Sequence, residues 1–281
     1  MNDLHIYEEM IRLTRANEPY ALATVIGNSG SSPRKAGTKM LVRSDGTTLG
    51  SVGGGRVEMD TILAAQNAFG NGTPCTLDFH LTEEHGFACG GSMTVYIEPH
   101  GRIPQLVMFG AGHVGRAVAS LAKSCGFRVV VVDDRPECAA PGLLPCVDEI
   151  LCCPVEEAFD RLELTKESYA VIATPGHLHD FAAVRGALRS EAAFIGLLGS
   201  RRKRAALMDI LEKEGFNREQ RDRIVTPVGL AIGADTPEEL AVSIVGQLVQ
   251  ERKKNGSERG GDPVGSRFIT ADGDVQTAVA P

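Results

Sequence analysis

One cysteine in this chain differs from the rest in its surroundings. Cys89, within HGFACGGSM (residues 85–93), is followed by Gly90 and Gly91 and stands between two β-like runs, TLDFHL and TVYIEP. Glycines beside a thiol remove bulk and let something large come close. The plainer account is a buried structural cysteine. Two other glycine-rich segments precede it. GNSGSSPRKAG (27–37) offers Ser29, Ser31, Ser32, Arg34 and Lys35, all able to donate to an anion. SVGGGRVE (51–58) has Gly53, Gly54 and Gly55 ahead of a helical pattern, and such backbone amides can cradle an oxyanion. Turns explain any one of the three segments. All three together point to a composite site.

The second half carries a dinucleotide fingerprint. Gly110, Gly112 and Gly115 follow an apolar run and open a helical one, and the next strand-like run ends at Asp133. In such a motif the first glycine makes the tight turn, the second admits a pyrophosphate and the third allows helix–strand contact. The helix N-terminus supplies open N–H groups, and Asp133 would accept from a ribose hydroxyl. His113, inside the motif, faces either the phosphate crevice or solvent. SRRKR places Ser200, Arg201, Arg202, Lys203 and Arg204 at a helix start. Cations there are disfavoured by roughly 0.3–1 kcal/mol each, so the cluster either meets an external anion or is a solvated basic face. GHLHD puts His177, His179 and Asp180 at the carboxyl edge of the sheet, as crevice lining or as a helix-capping turn.

The elements that must hold these residues fall into two groups. Residues 1–100 read as a mixed α+β domain. A helix with Ile6, Met10 and Leu13 on one face comes first, followed by β-like YALATVIG, TKMLVRSDG and TTLGSVGG, then a helix over VEMDTILAAQNAF. EPHGRIPQ (98–105) suits a linker. Over 101–254, apolar strands alternate with helices, as expected of an α/β, Rossmann-like, doubly wound parallel sheet covered on both faces. Its last helix shows a capping box, Thr236 with Glu239. The adjacent pair Cys152–Cys153 reads as core. Residues 255–281, rich in glycine and polar residues, read as a flexible tail.

Bulk properties narrow the classes. The 281 residues carry a net charge of −7, which disfavours nonspecific nucleic-acid binding. No apolar run approaches the roughly 18 residues of a membrane span. The start, MNDLHIYEEMIRLTRANEP, lacks the pattern of a signal peptide. Seven cysteines at irregular spacing, without CxxC, suggest reduced thiols and a cytoplasmic protein without structural zinc.

GNSGSSPRKAGTKMLV, GSVGGGRVE, FACGGSMTVYIEP, FGAGHVGRAVA and GADTPEELAVSI together resemble the XdhC/CoxI family, accessory factors for molybdenum hydroxylases such as xanthine dehydrogenase. The resemblance runs from about residue 5 to 252. It implies a two-domain chaperone that binds molybdenum cofactor (molybdopterin, as such or in a dinucleotide form). The chaperone supports sulfuration of that cofactor and inserts it into an apo molybdenum hydroxylase. The partners it implies are that xanthine dehydrogenase-like enzyme, a cysteine desulfurase and further copies of the chain. The family's cysteine before Gly-Gly corresponds to Cys89, and its GGGxxE to Gly53, Gly54, Gly55 and Glu58. Its Rossmann glycines correspond to Gly110, Gly112 and Gly115. Arg56 stands where some members carry a second cysteine, and HGFACGG is nearer the CoxI type. A thiolate is a soft ligand suited to molybdenum. Cys89 would thus either coordinate the metal or relay sulfur as a persulfide, with Arg34 and Lys35 able to depress its pKa. Rival readings are an NAD(P)-dependent oxidoreductase and a nucleotide-sensing module.

Overall fold

The computed structural model describes residues 3–81, 91–259, 267–269 and 275–277. The chain divides into two units, Met1–Arg102 with Asn255–Pro281, and Ile103–Lys254.

The first unit is built on a five-stranded antiparallel sheet. Helix α1 (Leu4–Arg15) precedes β1 (Tyr20–Ser29), β2 (Lys39–Arg43) and β3 (Thr48–Gly50). Helix α2 (Gly55–Asn71), β4 (Cys75–Leu81) and β5 (Gly91–His100) follow, and the strand order is β3-β2-β1-β5-β4. Side chains alternate across the strands, as the two-residue period requires. Ala21, Ala23, Val25, Met40 and Val42 join Val57 and Ala65 of α2 in one cluster. Tyr20 and Leu41 lie with Ile6 and Leu13 of α1 in another. Each fully buried aliphatic side chain of α1 contributes about 1.5–3 kcal/mol, enough to hold this charged helix on the sheet.

The expected linker at 98–105 is shorter than its prolines suggest. Strand β5 continues through Pro99 to His100, paired with β1 as Ala21↔Pro99 and Tyr20↔His100. Pairing with β4 reaches only as far as Cys75↔Ile97. Pro99 therefore sits where β5 has one neighbour, a position that tolerates a missing N–H. The Tyr20 and His100 rings stack at 4.7 Å and secure the end.

The second unit is a six-stranded parallel sheet. Its elements are β6 (Gln105–Phe109), α3 (His113–Ser124), β7 (Arg128–Val132), β8 (Glu149–Leu151), α4 (Val155–Ala158) and β9 (Ser168–Ile172). Then come α5 (His177–Leu188), β10 (Phe194–Leu197), α6 (Arg201–Lys213), α7 (Arg218–Asp222), β11 (Ile224–Val225) and α8 (Pro237–Arg259). The order is β11-β10-β9-β6-β7-β8. The chain lays down β6 to β8 in one direction, returns beside β6, and lays down β9 to β11 in the other. Val107, Phe109, Val130 and Val132 face a cluster with Ala183, Ala187 and Leu207. Leu106, Met108, Val129 and Val131 face Val118, Ala122 and Leu248. Both faces are covered, which explains the unbroken apolar strands. Cys153 joins this core, whereas Cys152, read as core from the sequence, is exposed one residue past β8.

Helix α8 starts at the expected box. Thr236 Oγ1 accepts from the Glu239 amide at 3.2 Å, and Glu239 Oε2 accepts from the Thr236 amide at 3.1 Å. The helix runs on to Arg259. Within the stretch expected as a tail, β12 (Arg267–Ile269) and β13 (Val275–Thr277) form an antiparallel pair. Among the described residues no helix is long and apolar enough to cross a membrane.

Candidate functional site

In the first unit the sheet brings the glycine-rich segments together. A Cβ on Gly53 would stand 2.8 Å from Pro33 Cγ and 3.9 Å from Arg34 Cγ, so the 51–55 loop lies against the 27–37 loop. A Cβ on Gly91 would stand 2.2 Å from the Ser31 carbonyl oxygen and 2.6 Å from that of Ser29. Ser29 and Ser92 share a hydroxyl–hydroxyl hydrogen bond of 2.8 Å. The described edge of the segment after Cys89 thus abuts the serine loop. Ser29, Ser31, Arg34 and Lys35 are all exposed there. Cys89 and Gly90 lie outside the described residues.

Glu58 was expected among the ligand-holding groups, but its carboxylate is turned onto its own loop. Oε2 accepts from Ser51 Oγ at 2.6 Å and from the Gly54 amide at 3.2 Å. The amide cradle of GGGRVE is therefore partly filled by the first turn of α2. Gly54 (φ 76°) and Gly55 (φ 57°) are in the left-handed region, so this turn needs glycine for its backbone alone.

In the second unit the switch point lies between β6 and β9, the usual ligand crevice of a doubly wound sheet. The three fingerprint glycines differ in what demands them. Gly110 has φ 108°, and a Cβ would meet the Ala173 carbonyl oxygen at 2.4 Å, where the end of β9 passes. A Cβ on Gly115 would meet the Gly110 carbonyl oxygen at 1.9 Å. Gly112 has an ordinary φ of −68°, and a Cβ there would meet nothing within 4 Å. Neither backbone nor packing requires glycine at 112. The open space is what a ligand cradle would need. Arg116 is the first α3 amide to find the Gly112 carbonyl, at 2.9 Å, so the amides before it keep no helical acceptor. His113, first in the helix, is exposed.

Asp133 was expected to await a ribose. Its buried carboxylate is already taken. Oδ1 accepts from the Arg135 amide at 3.0 Å and from Arg135 Nε at 2.9 Å. Oδ2 accepts from the Ala111 amide at 2.6 Å and from Arg135 Nη2 at 2.8 Å. Burial would raise its pKa, but the guanidinium and the two amides outweigh burial and hold it below the usual carboxylate range. The same pairing raises the pKa of Arg135.

Asp180 also faces inward. Oδ1 accepts from Thr174 Oγ1 at 2.8 Å and from its amide at 3.3 Å, while Oδ2 meets the Lys203 ammonium. Lys203 further donates to the Leu198 carbonyl at 3.1 Å. One cation of SRRKR is therefore internal, tying the start of α6 to the start of α5, while Arg202 and Arg204 remain exposed. Ser200 caps α6 by accepting from the Lys203 amide at 3.2 Å. His177 opens α5 and Arg201 opens α6, and half-buried His179 lies beside Gly176. Arg135 and Thr174 were missed from the sequence. Arg135 sits two residues after Asp133 in DDRPE, close enough to fold back, yet nothing in that spacing distinguishes it from a surface arginine. Among the described residues no group of three or more His, Cys, Asp or Glu side chains could hold a metal ion.

Strand order and fingerprint define a Rossmann-type unit with an uncapped helix start at its switch point. The family model described as "XdhC Rossmann domain" matches residues 106–248, and that of the "XdhC and CoxI family" matches 13–80. The chain belongs to the XdhC/CoxI family. It is 33% identical over 289 residues to YqeB of Escherichia coli (strain K12), covering 99% of this chain and 52% of that protein. It is 34% identical over 158 residues to a Bacillus subtilis (strain 168) protein whose name makes it a probable component of xanthine dehydrogenase, covering 56% of this chain and 45% of that one. The chain thus spans about half the length of the curated relatives it matches. A crystal structure described as a xanthine dehydrogenase from Bacillus halodurans shares the fold with a TM-score of 0.50 at 24% identity, over 90% of this chain and 96% of that one.

Proposed function

We propose that this protein is a maturation factor that carries molybdenum cofactor, supports its sulfuration and passes it to an apo molybdenum hydroxylase of the xanthine dehydrogenase type. Membership of the XdhC/CoxI family, with a relative named for xanthine dehydrogenase, supports the maturation role. The observation that carries cargo binding is Gly112, a glycine that neither its backbone angle nor its packing requires, at the open start of α3. The cargo's phosphate would take the α3 amides between Gly110 and Gly115. Ser29, Ser31, Arg34 and Lys35 would donate to anionic groups beside Gly53 and Gly91. Cys89 would ligate molybdenum or relay sulfur to it, with a cysteine desulfurase as the source. The sequence neighbours of Cys89 on its C-terminal side, Gly90 and Gly91, carry no side chain that would exclude such a guest.

The test is chemical. Full-length protein from a molybdenum-replete host is oxidised, and the released pterin is measured by fluorescence. Stoichiometric pterin supports the proposal, and its absence overturns it. Cys89→Ala should fold, bind the pterin and fail to yield a sulfurated hydroxylase on reconstitution. The strand order of the second unit is compatible with two alternatives, an NAD(P)-dependent oxidoreductase and a nucleotide-sensing module. Nicotinamide-dependent turnover would establish the first instead, and tight adenine-nucleotide binding without pterin the second.

A further inference from the structure

A carboxylate offers about four lone-pair positions to donors. Asp133 has four donors on it, two per oxygen: the Arg135 amide and Nε on Oδ1, the Ala111 amide and Nη2 on Oδ2. A ribose diol arriving at the end of β7 would need to place its hydroxyl protons on this carboxylate and would find no position left. Arg135 is in the opposite condition. Its Nε and one Nη2 proton are committed, Nη1 has no acceptor among the described residues, and the side chain is 34% exposed. Oδ2 is shared between Ala111 of the fingerprint loop and Arg135 Nη2, so the guanidinium stands one hydrogen-bonded atom from the cradle at α3.

The geometry points to a phosphomonoester site at the end of β7, in which Asp133 holds Arg135 in place and Arg135 donates to the phosphate, so that the crevice selects ligands bearing a terminal phosphate over those presenting a free ribose diol. Asp133 offsets the charge of Arg135, and exposed Asp134 adds a negative charge nearby. Recognition therefore rests on aimed N–H groups more than on net attraction. A planar guanidinium fixed on one edge by a carboxylate is already oriented, so little is lost in ordering it on binding. Two sources share this chemistry: a dinucleotide phosphorylated on its ribose, and a pterin carrying a phosphomonoester. The second deepens the cargo reading and rests on it. The first does not.

Calorimetry on the full-length protein with two ligand pairs tests the inference. The pairs are NADP+ against NAD+, and an oxidised pterin phosphate against the same pterin after phosphatase treatment. The phosphorylated member of at least one pair should bind about tenfold to a hundredfold more tightly, the worth of one or two charge-assisted hydrogen bonds. Arg135→Gln should remove that preference and, by freeing acceptor positions on Asp133, strengthen binding of NAD+. Arg135→Lys should retain part of the preference, and it serves if the glutamine variant fails to fold. Equal binding within both pairs by the wild-type protein, or binding of none of the four ligands, overturns the site. Discrimination in the nicotinamide pair without pterin binding would sustain it while sinking the cargo proposal. Pterin binding indifferent to the phosphate, with no discrimination in the nicotinamide pair, would do the reverse.

Discussion

The chain contains two glycine-rich helix starts of similar composition, GGGRVE at α2 and GAGHVG at α3, and they answer the positive end of the helix differently. At α2 an acidic residue of the first turn, Glu58, folds back onto Gly54 and Ser51. At α3 the first turn has no acidic residue and no side-chain cap. Asp133, just past the next strand, takes the Ala111 amide of that loop, leaving the amides of the first turn uncapped. A run of glycines before a helix is therefore no sign of an anion site until its own acids are located. By that criterion α2 is largely self-satisfied, and α3 keeps uncapped amides where the proposed anion would sit.

The sharpest way to break the comparison lies inside the α3 motif. Gly115→Ala would drive a methyl into the Gly110 carbonyl, 1.9 Å away. It should cost about 3 kcal/mol or more, seen as a large drop in Tm. Gly112→Ala, three residues earlier, should leave stability unchanged to within about 0.5 kcal/mol. It should still weaken the phosphate-bearing ligand by about tenfold. Equal stability losses at both positions would mean that 112 is a packing glycine and the cradle is not open. At α2, Glu58→Gln keeps the shape and loses the charge. A fall of about 0.5–1 kcal/mol in stability, with no change in ligand affinity, is expected from the loss of an N-terminal carboxylate. A loss of ligand affinity would instead restore Glu58 to the binding site.

The smallest effect concerns acid. Glu9, held by Arg12 and Arg43, has its pKa lowered from 4.5 to about 2, and Asp133 is lowered as well. A carboxyl with a depressed folded pKa stabilises the protein above its unfolded pKa and loses that contribution as pH falls through the folded value. Glu9→Gln should therefore be less stable than wild type at about pH 6, by urea midpoint. The difference should shrink between pH 4.5 and about 2. A gap constant down to about 2 would place the contribution of Glu9 in packing instead of charge.

Much of the architecture could be read from residue order. The spacing of Ile6, Met10 and Leu13 on α1 and the unbroken apolar strands β6, β7 and β9 each carry their partner's face in their own pattern. So do the Thr236–Glu239 cap and the glycines at 110 and 115. The end of β5 escaped because Pro99 reads locally as a break, and only the shorter β4 beside it makes that proline harmless. Cys152 and Cys153 are equivalent in sequence, and the turn out of the sheet separates surface from core.

Hydrophobic periodicity is a local property, and so sequence by itself determined that this chain has an α1–sheet–α2 unit and a doubly wound parallel sheet with a glycine-fingerprint turn after β6. Only the tertiary structure decided what the carboxylates do. Glu58, Asp133 and Asp180 are all acids near glycine-rich turns, and each is spent on its own chain: on Ser51 and Gly54, on Ala111 and Arg135, on Thr174 and Lys203. Hydrogen bonds have a reach of about 3 Å and strict direction. Whether an acid serves a ligand or its own fold therefore depends on where strands far apart in sequence bring their donors, and no spacing along the chain records that.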